Sequence, residues 1–320
     1  MELLYFLEKI RNPLFDSFFS LITHIGEETL FLAIAIFFFW CVNKREGYYI
    51  LITGLLGTVI NQGLKLACRI DRPWVRDPLF KPVESAIPEA TGYSFPSGHT
   101  QNVAGTFGAV GMFSKKRRMK VICLAVIILV SFSRMYLGVH TPEDVFMSLC
   151  LAVFLITLLR PVFSDDDRFK RSMPMIIAIS AIMSVALVIY TFMTNDITVD
   201  AANLESARKN SATLLGCLFG LILVYPIDSR IIDFKVEGRW YSQLVKLAVG
   251  LSIVFLLKSG LKPVLGAIIP NEYVARVIRY FLIVGFAGAL YPVTFKYYSK
   301  WRVKWLDSLT EKVFLKFKKN

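Results

Sequence analysis

Long apolar runs alternate with short polar stretches along the whole chain, and no run shows the period-two alternation of a half-buried strand. Nine runs approach the roughly 20 residues that a helix needs to cross a bilayer. They are residues 29–42, 48–68, 98–113, 121–136, 145–159, 173–193, 211–225, 241–257 and 277–295. Helix is predicted for each, because backbone in hydrocarbon must satisfy its own hydrogen bonds. The first run is short and is expected to extend by a turn at either end. Residues 1–25 are apolar but carry Glu8, Lys9, Arg11, Pro13, Asp16 and His24, which predicts one or two amphipathic helices lying in the membrane interface. That stretch also lacks a signal peptide's basic start, apolar run and small-residue cleavage site. Residues 261–269 are too short to cross and read as a re-entrant segment. The pattern predicts an all-α polytopic membrane protein of about nine spans, without internal repeats.

Composition strengthens this reading. Apolar residues make up 55% of the 320, Phe alone supplies 26, and charged residues fall to 19%, below the about 25% of a soluble domain. The mean hydropathy is +0.54. A disordered chain, a collagenous repeat and a secreted disulfide scaffold are thereby excluded. The 37 Lys and Arg exceed the 24 Asp and Glu by 13, an excess that in a soluble chain would suggest nucleic acid. With nine spans, however, 22 of the basic residues fall on one face and 13 on the other, Lys65 and Lys246 lying within spans. The positive-inside rule makes the richer face cytoplasmic, with the C-terminus inside and the N-terminus outside. The charge therefore calls for no nucleic-acid partner.

The five Cys (Cys41, Cys68, Cys123, Cys150 and Cys217) sit in or at the ends of spans, with no Cys-x-x-Cys pair. They read as small buried hydrophobes. Lys246, in mid-span, is expected to have a polar partner within the bundle. His24 has no charged neighbour in the pattern to give it a task. Arg69, Arg76 and Lys81 read as rim charges.

Three polar clusters interrupt the apolar pattern. They are Lys65-Leu-Ala-Cys-Arg-Ile-Asp-Arg72-Pro73, then Pro96-Ser97-Gly98-His99, then Ser133-Arg134 through His140 to Asp144. Hydropathy and loop charge alone bring all three to the outer face, where they converge on one pocket. Lys65, Arg72 and Arg134 offer three positive charges, two of them guanidinium forks suited to phosphate oxygens. Ser97 and Gly98 stand where a helix begins, so free N–H groups and a hydroxyl point at an anion. Two imidazoles allow one to attack phosphorus while the other protonates the departing oxygen. Asp144, one helical turn after His140, suits the task of holding that ring. No Asp, Glu or His group in the pattern offers a metal three ligands at this face, so no metal and no cofactor are expected.

These clusters resemble the signature of the type 2 phosphatidic acid phosphatase superfamily, which includes bacterial lipid phosphatases, glucose-6-phosphatase and vanadium haloperoxidases. The pattern Lys-x6-Arg-Pro, Pro-Ser-Gly-His and Ser-Arg-x5-His-x3-Asp is filled at every position, over roughly residues 61–159. The resemblance implies a helical-bundle core and metal-free hydrolysis of a phosphomonoester or pyrophosphate through a phosphohistidine. It implies His140 as the phosphate carrier, His99 as general acid and Asp144 as the residue that orients His140. Lys65, Arg72, Ser97, Gly98 and Arg134 would hold the phosphate.

The chain then divides into an interfacial N-terminus (1–28), a catalytic core (29–163), an accessory transmembrane region of four spans (164–300) and a basic cytoplasmic tail (301–320). Every polar group with evident chemical purpose lies before Leu159. A covering loop with Trp74, Phe80, Ile87, Tyr93 and Phe95 suits an amphiphile entering from the bilayer of a bacterial plasma membrane. Undecaprenyl pyrophosphate, phosphatidate, phosphatidylglycerol phosphate or a sphingoid phosphate would fit. The alternatives are a sugar-phosphate phosphatase like glucose-6-phosphatase, and a non-catalytic protein that binds or flips a lipid phosphate.

Overall fold

The structure, a computed structural model, describes residues 1–196 and 198–308. Part of the basic tail expected at 301–320 therefore lies outside the described residues. Among those described there is no strand. Two short helices, α1 (Glu2–Lys9) and α2 (Pro13–Thr23), lead through a 3₁₀ turn at His24–Gly26 into α3 (Glu28–Phe37). The central helix α4 (Lys44–Cys68) follows, then a long connection containing α5 (Pro73–Arg76), and then α6 (Gly98–Phe113), α7 (Arg117–Tyr136) and α8 (Pro142–Phe163). The C-terminal region comprises α9 (Asp166–Met193), α10 (Ala201–Ile227), α11 (Trp240–Ile268), α12 (Glu272–Gly285) and the short α13 (Phe295–Lys300).

Helices begin where side-chain caps stand, upstream of the apolar windows. Asn43 accepts from the backbone N–H of Arg45 and Glu46 at the start of α4, and Asp165 accepts from Arg168 N–H at the start of α9. Asp200 does the same for α10 through Asn203 N–H, and Asn271 for α12 through Tyr273 and Val274 N–H. Each satisfies donors that the helix itself leaves free. Hydropathy marks the stretch of a helix that meets lipid, whereas caps mark the helix.

Among the described residues seven helices are long and apolar enough to cross a membrane, or eight if the pair Pro13–Gly26 and Glu28–Val42, bent by 50°, counts as one span. The expected nine spans are not reproduced by that measure. The two that fall short are residues 29–42, which form one limb of the bent pair, and α6. Only 16 residues long, α6 rises about 24 Å and carries Thr100, Gln101, Asn102 and Thr106. It lies beside α8, with Ser97 O accepting from Ser148 Oγ at 2.8 Å and Met112 O accepting from Arg160 Nη1 at 2.6 Å near the other end. A helix shielded by protein on most sides does not need an apolar surface. The amphipathic N-terminal segment does form two helices. The expected re-entrant segment at 261–269 is instead the continuation of α11, which runs without a break through Lys258, Lys262 and Pro263. Lys258 interrupts the hydropathy but not the helix, and its Nζ donates to Thr29 Oγ1 at 3.3 Å.

The core forms around α4, whose Tyr48, Tyr49, Ile50, Ile52 and Val59 are buried against α6, α8, α9 and α10. Helices α10 and α12 approach closely: a Cβ at Gly216 would lie 2.4 Å from Val277 O, the small-residue contact favoured between membrane helices. Lys246 has the expected polar partner, donating to Trp40 O at 2.8 Å with its ammonium 4.4 Å from the centre of the Phe295 ring. Burial holds for only two cysteines, Cys123 and Cys217; Cys41 is half-buried, and Cys68 and Cys150 are exposed. The outer faces of this bundle are apolar, with Val121, Ile122, Leu124 and Ile128 exposed along α7, so an outward-facing Cys breaks no pattern.

Candidate active site

The three clusters converge. A cavity of about 380 Å³ opens at the end of the bundle where α4 ends and α6 and α8 begin, and Lys65, Arg72, Gly98, His99, Arg134 and His140 all line it. Two expected residues do not reach its wall. Asp144 stands behind His140, and Ser97 is fully buried, its hydroxyl accepting from Thr100 N–H at 3.4 Å as the cap of α6. Gly98 faces the cavity: a Cβ added there would meet no atom within 4 Å. The first N–H groups of α6 therefore have room for an anion.

His140 sits in the connection before α8, where Pro142 opens the helix and Thr141 and Asp144 form a reciprocal capping box. One carboxylate oxygen, Asp144 Oδ2, accepts three hydrogen bonds. They come from Ser94 Oγ at 2.5 Å, Thr141 N–H at 2.8 Å and His140 Nδ1 at 3.2 Å. With its proton on Nδ1, the ring presents the Nε2 lone pair to Arg72 Nη1, 2.9 Å away. Burial, and then the charges of Arg72, Lys65 and Arg134, hold the imidazole well below its ordinary pKa, so His140 is neutral.

The three cations are fixed in different ways. Arg72 donates to the carbonyls of Gly92, Thr91 and Val139 at 3.0, 2.8 and 2.9 Å, and Lys65 to those of Tyr93 and Ser94. Carbonyls, not carboxylates, therefore position both, and they tie the long connection down over the site. Arg134, fully buried, donates from Nη1 to Thr23 Oγ1 at 2.6 Å. Its Nε and Nη2 have no partner among the described residues, nor does His99 Nε2. These unpaired nitrogens belong to residues on the cavity wall, where an anion would complete them.

Several sequence expectations change here. His24 is not without charged neighbours: its Nδ1 contacts Glu27 and lies 3.6 Å from Glu89 Oε1. One ligand atom from each of His24, Glu27 and Glu89 lies within 4.8 Å of the others, so the expectation that no such group stands at this face is corrected. Glu27 is only three residues from His24, but Glu89 is distant in sequence, and only the fold of the connection brings it to the His24–Gly26 turn. Arg69 is no rim charge but clasps the α9–α10 connection, donating to Asp196 Oδ2 at 2.6 Å and Thr198 Oγ1 at 3.1 Å. That pairing holds the Asp196 carboxyl down at about 2. The covering loop keeps Phe80 and Tyr93 buried; its exposed apolar residues are Val75, Leu79 and Ile87. Nor does the chemistry end at Leu159, because Asn210, Thr213 and Leu214 of α10 line the cavity too. Ser94, Asn61 and Gln101 were also missed. Their signal is helical or loop spacing, one turn before Lys65 for Asn61 and two residues before Pro96 for Ser94.

Comparison with known proteins gives the family. Residues 45–168 match the PAP2 superfamily, and residues 212–300 match the PAP2 superfamily phosphatase, transmembrane extension. Phosphatidylglycerophosphatase B of Bacillus subtilis (strain 168) is 27% identical over 175 residues, which cover 51% of this chain and 80% of that protein. Undecaprenyl-diphosphatase BcrC of the same organism is 32% identical over 146 residues, 45% of this chain and 72% of that protein. An undecaprenyl-diphosphatase of Sulfolobus acidocaldarius is 28% identical over 103 residues, 32% of this chain and 48% of that protein. No solved structure matches the chain. The three clusters lie in the first matched segment and α10–α12 make up most of the second, and on both counts this integral membrane protein belongs to the PAP2 superfamily.

Proposed function

We propose that the chain is a phosphatase of lipid phosphates or lipid pyrophosphates that works through a phosphohistidine at the extracytoplasmic face. The observation that carries this reading is the His140–Asp144–Ser94 chain, which aims a neutral Nε2 into a cavity lined by three cations. His140 Nε2 attacks phosphorus as the bond to the leaving oxygen breaks, and His99, which takes up a proton once the phosphate anion offsets the neighbouring cations, gives that oxygen its proton. Arg72, Arg134, Lys65 and the start of α6 take the charge that develops on the phosphoryl oxygens. Water then attacks the phosphohistidine, the N–P bond breaks, and His99 takes the water's proton. Asp144 stabilises the cationic ring in both steps. None of these steps calls on a metal.

The names of the relatives support lipid phosphates as substrates, among them phosphatidylglycerol phosphate and undecaprenyl pyrophosphate, with phosphatidate and sphingoid phosphates of the same chemical class. The outer placement rests on the distribution of basic residues between loops. The test is phosphate release in detergent across these substrates, with His140→Ala beside wild type. His140→Ala should release none and form no acid-labile phosphoenzyme. Half or more of the wild-type rate in that variant would overturn the mechanism.

A further inference from the structure

A further cavity of about 200 Å³ lies in the accessory region, between the last turns of α11 and the first turns of α12, and shares no lining residue with the cavity around His140. Three cations and one carboxylate stand on its wall: Lys262 from α11, and Arg276, Arg279 and Glu272 from α12. Glu272 is divided between Arg276 and Lys209, its Oε1 3.5 Å from a nitrogen of each. Lys209 adjoins Asn210 of the first cavity, so both cavities open at the same end of the bundle. Glu28 is near enough to Arg276 to act on it electrostatically. No carboxylate, however, comes within 4 Å of Lys262 or Arg279 among the described residues. Arg279 is 7% exposed and makes no hydrogen bond among them; its guanidinium carbon lies 5.1 Å from the centre of the Tyr280 ring. A buried charge without a counter-ion is costly, and within a membrane bundle it marks a functional site.

The surroundings say where that anion comes from. An upright α11 of 29 residues rises about 44 Å, which matches the about 40–45 Å of a bilayer with its headgroups. Lys262 stands six residues before the end of α11 and Arg279 seven after the start of α12, each ~10 Å from the helix end. Both are therefore within a side chain's reach of the headgroup layer. Leu256, Val264 and Ile268 of α11 are exposed beside the cavity and offer an apolar surface to acyl chains. We propose that this cavity binds the headgroup phosphate of an anionic phospholipid, at a site separate from the one around His140. Two guanidinium groups and an ammonium suit phosphate oxygens, and basic pockets between membrane helices recognise such headgroups. The site gives the accessory region a task of its own and does not depend on the phosphatase reading.

The test is thermal melting of the full chain in a neutral detergent, titrated with phosphatidylglycerol, phosphatidylcholine or inorganic phosphate. A ligand that binds the folded state alone raises Tm by mass action. Phosphatidylglycerol should raise it saturably, and phosphatidylcholine, whose headgroup has no net charge, should not. Lys262→Gln should weaken the apparent affinity for phosphatidylglycerol by about fivefold, and Lys262→Gln combined with Arg279→Gln by about 25-fold. Lys262 is exposed, so its substitution tests the site even where Arg279→Gln fails to fold. An unchanged affinity in Lys262→Gln would overturn the proposal, because the lipid would then be held elsewhere, the cavity around His140 included. Equal stabilisation by phosphatidylcholine would overturn it too. Stabilisation by inorganic phosphate that Lys262→Gln weakens to the same extent would assign the cavity to a free phosphate and overturn the lipid.

Discussion

Replacing Asp144 by Asn removes one charge from the site while the local hydrogen bonds constrain how the new amide can sit. The oxygen that meets His140 also accepts Thr141 N–H and Ser94 Oγ–H. A backbone N–H cannot reverse into an acceptor, so the introduced amide would keep its carbonyl oxygen in that position. The His140 proton then stays on Nδ1 and Nε2 stays free to attack. This differs from a catalytic triad in which Asp→Asn inverts the tautomer and costs about 10⁴ in rate. Here the loss is the coulombic stabilisation of a cationic ring. A unit charge ~5 Å from the ring centre at an effective dielectric constant of about 20 contributes ~3 kcal/mol. That corresponds to a fall of about 10²-fold in kcat. Ser94→Ala, which keeps the carboxylate but removes one bond to it, should cost about 10-fold, part of the ~1.5–3 kcal/mol of a hydrogen bond to a charged group. The assay is phosphate release under saturating substrate, with thermal melting of each variant alongside. An Asp144→Asn rate within threefold of wild type would show that the charge is not used. A loss beyond about 10⁴ would show that the amide nitrogen faces His140, and the tautomer argument would fail.

Three further outcomes are expected. Because His140 titrates well below the ordinary imidazole value of about 6.5, its neutral form persists as the pH falls. The acid limb of kcat/KM, corrected for substrate ionisation, should lie below about 6.5; a limb at or above that value would contradict a buried neutral nucleophile. Leu79→Cys, at a position 83% exposed in the connection, should react with an impermeant thiol reagent in intact cells expressing a Cys-depleted protein, and Lys116→Cys only after permeabilisation. Gly92 is a poor labelling position, since its φ is 70° and its carbonyl holds Arg72. The reverse labelling pattern would put the cavity on the cytoplasmic side. Activity should survive EDTA and be inhibited by vanadate, a mimic of five-coordinate phosphorus. If EDTA abolishes activity and Glu89→Gln does so too, the His24–Glu27–Glu89 group holds a metal that the reaction needs.

Much of the reacting end could be read from residue order, because its clusters are contiguous and their chemistry is local. His140 and Asp144 share one helical turn, and Ser97 announces α6 by capping it. What escaped had its cause in three dimensions. Glu89 meets His24 only because the 69–97 connection folds back onto α2, and no periodicity encodes that path. Asn210 falls in the polar half of α10, which hydropathy assigns to a loop although the cap at Asp200 shows the helix already under way. The span count of nine, which is not reproduced by length and composition, turns on a related point. Hydropathy scores a helix as if lipid surrounded it, and α6 has protein there instead.

Lys65 and Arg72 are oriented by main-chain carbonyls, and carbonyl dipoles fix a cation without cancelling its charge. An arriving phosphate therefore has no carboxylate to evict from them, and meets an electric field that exists before it binds. The same bonds make these two residues clamps on the connection that roofs the cavity. An anion competing for their N–H groups would loosen the roof by the same act that seats it, which would couple binding of substrate or product to movement of the 89–94 segment. Substituting either cation by a neutral residue would then disturb two things at once, the affinity for phosphate and the closure above it. Lys65→Met or Arg72→Met should accordingly show faster proteolysis within 91–94 even without substrate, a signature that Arg134→Met, whose side chain donates to Thr23 and not to the carbonyls of that segment, should lack.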